Sequence, residues 1–241
     1  PNFKCYPLLM KSPANPFSFF SMLKIIKKSN ADIIHTHSSI DSWLCGFAAK
    51  LSQIQVVRSR HISIPIKNMF PNNWLYSRIP KKIITSGEAI SEVVKSVPGV
   101  KPENVKSVSA GVDFRRFDFN IDGTNIRKEL GVNPGQPLIG KIGVIRGWKG
   151  YNYLLEAAPI VLKKFPETRF VFVGSGPGFE QTKSIAHSLG LEQKLTFLGH
   201  RDDIPEIMAG LDIQVLASFA GEGTPQVIPQ AFAMKTPLVA T

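Results

Sequence analysis

The sequence predicts an α/β protein built from two doubly wound, parallel-sheet domains that face each other across a cleft. Three observations lead there. Short apolar runs alternate with small or polar loops and then with helical patterns, which is the order of a parallel sheet with helices on both faces. That rhythm lapses between Phe117 and Pro137, a stretch holding Asn120, Gly123, Asn133, Pro134 and Gly135, and then starts afresh. At 241 residues, 43% of them hydrophobic, the chain is long enough for two modest cores. The expected division is residues 1–120 and 121–241.

Taken in order, Asn15 to Lys28 reads as a helix with a broad apolar face and a basic end, either a crossover helix on a sheet or a helix at a membrane surface. Asp32 to His37 is a short strand, followed by a helix from Trp43 to Leu51. Val56 and Val57 mark a second strand, leading into a loop from Arg58 to Ser63. Lys82 to Thr85 and Val105 to Val108 are further strands, with a helix from Glu88 to Lys95 between them. Beyond the break, strands are expected at Leu138 to Val144, Arg169 to Val173, Leu195 to Leu198 and Ile213 to Leu216. Helices are expected at Tyr153 to Phe165, Glu180 to Leu189 and around Ile204 to Ala209.

The run from Asp212 to Ala233 carries the densest chemical signal. After the strand comes a loop of small residues, and Glu222-Gly223-Thr224-Pro225 is expected to open a helix with Thr224 as its N-cap. A helix N-terminus suits an anion, and Glu222 can accept hydrogen bonds from hydroxyls of the same ligand. Pro229 inside that helix costs roughly 3 kcal/mol unless it falls in the first turn.

Ligands of open parallel sheets bind beyond the strand C-termini. His61 falls there, on a loop between basic residues. His35 and His37 alternate along a strand and so are expected on opposite faces, which denies them a shared metal. In the second half, the loop Gly143 to Gly150 offers Arg146 and Lys149 among glycines, a match for a diphosphate. Gly174-x-Gly176-x-Gly178 misses the spacing of a dinucleotide fingerprint. There is no Walker loop and no nucleophile elbow.

Charge is unevenly spread. Residues 1–118 hold 17 Lys and Arg against 7 Asp and Glu, and the remainder 12 against 11. A basic first half suits an anionic membrane, a phosphorylated acceptor or nucleic acid. Nucleic acid is the weakest of these, because the cations are scattered over helices and loops without interleaved aromatics. Cys5 and Cys45 have no metal spacing, and two cysteines fit a reducing, cytoplasmic compartment. The start at Pro1 and the apolar run Pro237 to Ala240 raise the expectation of a chain open at both ends.

Eight strings in order resemble the retaining nucleotide-sugar glycosyltransferases of family 4, which have the GT-B fold of two facing Rossmann-like domains. They are IIHTHS (33–38), RSRHIS (58–63), TSGEAISE (85–92), GVDFRRF (111–117), GWKGYNYLLEA (147–157), VFVGSGP (171–177), LTFLGHRDDI (195–204) and EGTPQVIPQA (222–231). The resemblance implies that Glu222 is the first acidic residue of an E-x7-E motif that holds the donor sugar, with Gly223 and Thr224 at the diphosphate. Gln230 stands where the second glutamate of that motif binds the ribose. Lys149 matches the phosphate-binding lysine, and His61 the histidine near the reacting sugar. Gly199, His200 and Arg201 resemble the segment that meets the base, and Gly174 is assigned to the donor site as well. The family's partner arginine falls at Val144 here, so Arg146 is an expectation of charge alone.

The implied activity is sugar transfer with retention from a UDP-, GDP- or ADP-sugar to a glycan or lipid-linked acceptor, without metal or cofactor. Cell-envelope polysaccharide or lipopolysaccharide synthesis is the implied setting, in the cytoplasm or at the inner face of the plasma membrane. A nucleotide-sugar epimerase on the same fold and a non-catalytic basic binding module are the alternatives.

Overall fold

The computed structural model describes residues 4–10, 12 and 15–241. The start of the first expected domain, at Pro1, lies outside the described residues. The chain forms two compact units, Pro1–Ala110 and Gly111–Thr241.

In the first unit, helix α1 (Pro16–Ser29) is capped by the Asn15 side chain, which accepts from the backbone of Phe17 and Ser18. Strand β1 (Ile33–Thr36) leads into α2 (Ser39–Leu51), whose capping box pairs Ser38 with Asp41. Then come β2 (Gln55–Arg60), α3 (Asn72–Ser77), β3 (Lys82–Thr85), α4 (Glu88–Lys95) and β4 (Val105–Ser107). The strands are parallel in the order β1-β2-β3-β4. One expectation is corrected here. Arg58, Ser59 and Arg60 belong to β2 and not to a loop, since β3 continues the ladder through Arg60 and Thr85. The short helix α3 lies in a stretch whose prolines and asparagines hide its pattern.

The second unit comprises α5 (Thr124–Glu129), β5 (Leu138–Ile142), α6 (Tyr151–Lys164), β6 (Arg169–Val173), α7 (Phe179–Ser188), β7 (Leu195–Gly199), α8 (Ile204–Gly210), β8 (Ile213–Leu216), α9 (Val227–Ala233) and β9 (Leu238–Ala240). Its parallel sheet runs β7-β6-β5-β8-β9. Side-chain alternation along β6 shows the two-faced burial directly. Phe170 and Phe172 join Leu154, Leu155 and Ala186 beneath α6 and α7, while Val171 and Val173 join Ile126, Ile207 and Leu211 beneath α5 and α8. Asp212 fastens β8 to β5: its carboxylate accepts from the Leu138 amide at 2.7 Å and from Arg127 at 3.1 Å.

Strand order reverses at β5, whose sequence neighbour β6 lies on one side and whose spatial neighbour β8 lies on the other. Such a switch point opens a crevice beyond the strand ends, because successive crossovers leave it in opposite directions.

Candidate donor site and a histidine cluster

The loops leaving β5 and β8 meet at that switch point. Gly150 takes φ +68° beside the β8 loop, where a Cβ would lie 1.7 Å from the Ala217 carbonyl oxygen. Glycine alone allows both the backbone angle and the approach. The Phe219 amide donates to the Trp148 carbonyl at 3.1 Å, and Gly221 lies under the Trp148 ring. With the loops laced together, the Lys149 ammonium pairs with Glu222 Oε1, each side chain about four-fifths buried. Trp148 lies between two cations, its ring centroid 4.6 Å from Lys149 Nζ and 5.9 Å from the Arg146 guanidinium. Arg146 is exposed, as is Val144.

Beneath this pair is Lys141, a residue that the sequence reading did not single out. It sits in β5, 1% exposed, with its ammonium 4.8 Å from the centroid of the Tyr151 ring. Burial, and then the Lys149 charge, push its pKa down to about 8 against the pull of Glu222. Burial likewise raises the Tyr151 phenol, which donates to the Gly143 carbonyl at 2.7 Å. A lysine inside an apolar strand run, LIGKI, is the signal that could have found it.

Glycines lace the neighbouring loops. The Gly174 amide donates to the Gly199 carbonyl at 2.7 Å, and at φ +137° a Cβ on Gly174 would strike the Gly143 carbonyl oxygen. Gly199, at φ +66°, ends β7. His200 is exposed, 3.5 Å from Asp202. Arg201 is tied on both sides, to Asp203 at 2.5–2.8 Å and to Glu129 at 2.6–3.2 Å, so these carboxylates hold its side chain and raise its pKa. Gly223 and Thr224 are half-buried in the loop beyond Glu222.

The predicted helix start is corrected. Helix α9 begins at Val227 after Gln226, so Thr224 is not its N-cap and Pro225 is not its first residue. Pro225 instead supplies a carbonyl to the Ile228 amide. Pro229 therefore occupies the first turn, where an amide has no partner within the helix to lose. Gln230 lies one residue further along α9 and is half-buried.

His61 belongs to the first unit. Its Nε2 is 3.1 Å from His37 Nδ1 with the rings parallel, and the His35 and His37 ring centroids are 4.2 Å apart. The expectation of opposite faces is thus overturned: residues two apart along an extended chain project to the same side, so His35 at the end of β1 and His37 just past it come together. His35 Nε2 is 2.8 Å from Ser59 Oγ, and burial followed by the two neighbouring imidazoles lowers its pKa. Among the described residues, no group of three or more His, Cys, Asp or Glu is arranged to hold a metal ion. No helix among them is long and apolar enough to cross a membrane.

Comparison with known proteins agrees with this architecture. Residues 2–116 match the family model Glycosyltransferase Family 4, and residues 122–241 match Glycosyl transferases group 1. Among curated relatives, N-acetyl-alpha-D-glucosaminyl L-malate synthase of Bacillus anthracis is 25% identical over 91% of this chain and 59% of its own length. The UDP-Gal:alpha-D-GlcNAc-diphosphoundecaprenol alpha-1,3-galactosyltransferase of Escherichia coli is 28% identical over 92% and 60%. This chain thus spans about three-fifths of the relatives' length. The crystal structure of Anabaena Alr3699/HepE in complex with UDP-glucose superposes with a TM-score of 0.81 at 23% identity, covering 92% of this chain and 62% of that one. The chain carries glycosyltransferase domains of these two types, and its two Rossmann-like sheets are those of the GT-B fold.

Proposed function

We propose that this protein transfers a sugar from a nucleotide-sugar donor to an acceptor, with retention of configuration. The observation that carries the reading is the Lys149–Glu222 pair, held by laced loops at the topological switch point with Arg146 and Trp148 alongside. An ammonium and a carboxylate side by side fit a donor whose diphosphate takes the cation and whose sugar hydroxyls take the carboxylate. The pair must part when the donor binds. Diphosphate oxygens replace the carboxylate on Lys149 while sugar hydroxyls donate to Glu222, so neither largely buried charge is left unpaired.

Charge on the departing diphosphate grows in the transition state, where Lys149 and Arg146 stabilise it. A donor phosphate oxygen accepts the acceptor proton, which leaves His61 as a group that positions the sugar. Gly223, Thr224 and Gly174 approach the phosphates through their backbone, and Gln230 hydrogen-bonds the ribose without adding charge. The segment Gly199 to Arg201 meets the base, its shape fixed by the Arg201 ion pairs. The UDP-glucose complex of the Anabaena protein favours UDP as the nucleotide. The diphosphoundecaprenol-linked sugar in the name of the Escherichia coli relative supports a glycan or lipid-linked acceptor and an envelope pathway for this chain.

We also propose cytoplasmic action at an anionic membrane surface. Helix α1 packs on α2 through one side and leaves Phe17 and Phe20 exposed, with Lys24, Lys27 and Lys28 following at helical spacing.

The deciding experiment screens UDP-sugars with a mixed acceptor pool and measures UDP release and product anomer. Glu222→Ala is expected to reduce release at least about a hundredfold, the usual scale for a lost transition-state contact, with little change in thermal stability. Release at the wild-type rate from Glu222→Ala would refute the reading, as would sugar interconversion with no acceptor present, which is the behaviour of an epimerase.

A further inference from the structure

The first unit contains a cavity of about 270 Å³ whose walls are positively charged. Arg58 and Arg60 are two apart in β2 and so line the same face. Arg58 is only 4% exposed. Its guanidinium lies 3.9 Å from the centroid of the Tyr76 ring, and its Nη2 donates to the Tyr76 hydroxyl at 3.1 Å. The Arg58 Nε and Nη1 atoms have no hydrogen-bond partner. Arg60 Nη1 donates to the same hydroxyl at 2.6 Å, its Nη2 donates to the Ile64 carbonyl, and its Nε is unpartnered.

Ser38, Ser39, Ser59, His37 and His61 add hydroxyls and imidazoles to the wall, and among the described residues no carboxylate lines it. Asp41 is the acidic residue near it in sequence, and both of its oxygens are spent on the cap of α2, accepting from the His37 amide at 2.8 Å and the Ser38 amide at 2.7 Å. Two adjoining guanidiniums, one of them buried, repel each other, and three nitrogens without acceptors add a desolvation cost that proteins usually offset with an anion. Burial depresses the Arg58 pKa; Tyr76 opposes this, the Arg60 charge adds to it, and the Asp41 charge opposes it. The forked geometry of arginine and the serine hydroxyls suit tetrahedral oxyanions.

We propose that this cavity binds a phosphate group; that the phosphate is carried by the acceptor rests on the glycosyl-transfer reading above. The anion completes the hydrogen bonding of Arg58 and Arg60 and sets the acceptor beside His61.

The test titrates the full chain with inorganic phosphate, and separately with pyrophosphate, at saturating UDP so that the diphosphate site at Lys149 is filled. The readout is the imidazole resonances of His37 and His61 together with calorimetric affinity. Both rings are expected to shift, and Arg58→Gln is expected to weaken binding at least tenfold while leaving UDP affinity within twofold. Near-ultraviolet circular dichroism of the stacked Trp43 and Trp74, both in this unit, reports whether the variant is folded. Arg60→Gln, at a half-buried position, is the second variant should Arg58→Gln unfold, and it is expected to weaken binding likewise. No imidazole shift with either anion, or undiminished affinity in a folded variant, overturns the proposal. Should UDP itself fail to bind while phosphate still moves both imidazoles, including in Lys149→Ala, the donor reading falls and the anion cavity stands.

Discussion

Replacing Lys141 by Met should make the protein more stable at pH 7 and weaken its hold on the donor. The Lys141 pKa is pushed from 10.5 to about 8, chiefly by burial. At about 1.4 kcal/mol per unit, the charged side chain costs the folded state about 3 kcal/mol. Methionine has similar length and no charge to desolvate, so the substitution recovers that cost and loses the contact of the ammonium with the Tyr151 ring, about 1–2 kcal/mol for a desolvated pair. A net gain of about 1–2 kcal/mol remains, which is a rise of about 4 °C in Tm for a chain of this size.

The gain should also depend on pH. Below about 8 the lysine is protonated in both folded and unfolded chains and its penalty is full. Between about 8 and 10.5 the unfolded chain keeps a proton that the folded one has shed, so the wild type gains stability as pH rises and the gap to the variant closes. Urea denaturation of both proteins from pH 7 to 10.5 measures the difference. A variant less stable than wild type at pH 7, or a difference that stays flat across that window, would refute the reasoning. UDP affinity should fall by about tenfold, the scale of one screened charge removed from beneath the diphosphate. A Lys141→Met protein that binds UDP as tightly as wild type would show that this ammonium does not act at the donor site.

Three further outcomes are expected. Gly150→Ala should destabilise the second unit by more than about 2 kcal/mol and abolish UDP binding, because φ +68° and the Ala217 carbonyl leave no room for a Cβ; a thermal shift within a degree of wild type would contradict it. The lowered pKa of His35 predicts that stability falls as pH drops below its usual value of 6.5, since the unfolded chain takes up the proton first; His35→Asn should flatten that slope, and an unchanged slope would remove the basis for it. Phe17→Ser with Phe20→Ser should reduce sedimentation with anionic phospholipid vesicles several-fold at unchanged secondary structure, and equal sedimentation would exclude α1 as the contact.

The chemistry of the candidate donor site was legible in the order of its residues. Glu222, Lys149 and Arg146 stand on two loops, each following an apolar run. The rule that parallel strands deliver ligands to their C-terminal ends placed both loops on one edge. The start of α9 was misread because Thr-Pro is a good helix opening in isolation, whereas here residues 223–226 lie ahead of the helix and the first turn forms around Pro229. The Arg58-Ser59-Arg60 segment looked like a basic loop because charge on alternate residues of a strand is unexpected in a buried sheet. Only its ladder with β3 shows that both guanidiniums face one cavity.

Periodicity and turn residues by themselves determined that this chain makes two parallel sheets with helices on their faces, since strand, loop and helix each leave a local pattern. The tertiary structure decided which distant residues meet. The adjacency of β5 and β8, which pairs Ile139 with Ile213, 74 residues later, brings Lys149 to Glu222 and buries Lys141 beneath them. Such encounters depend on strand order and on close backbone approach at Gly150, and neither is written in any one stretch of sequence.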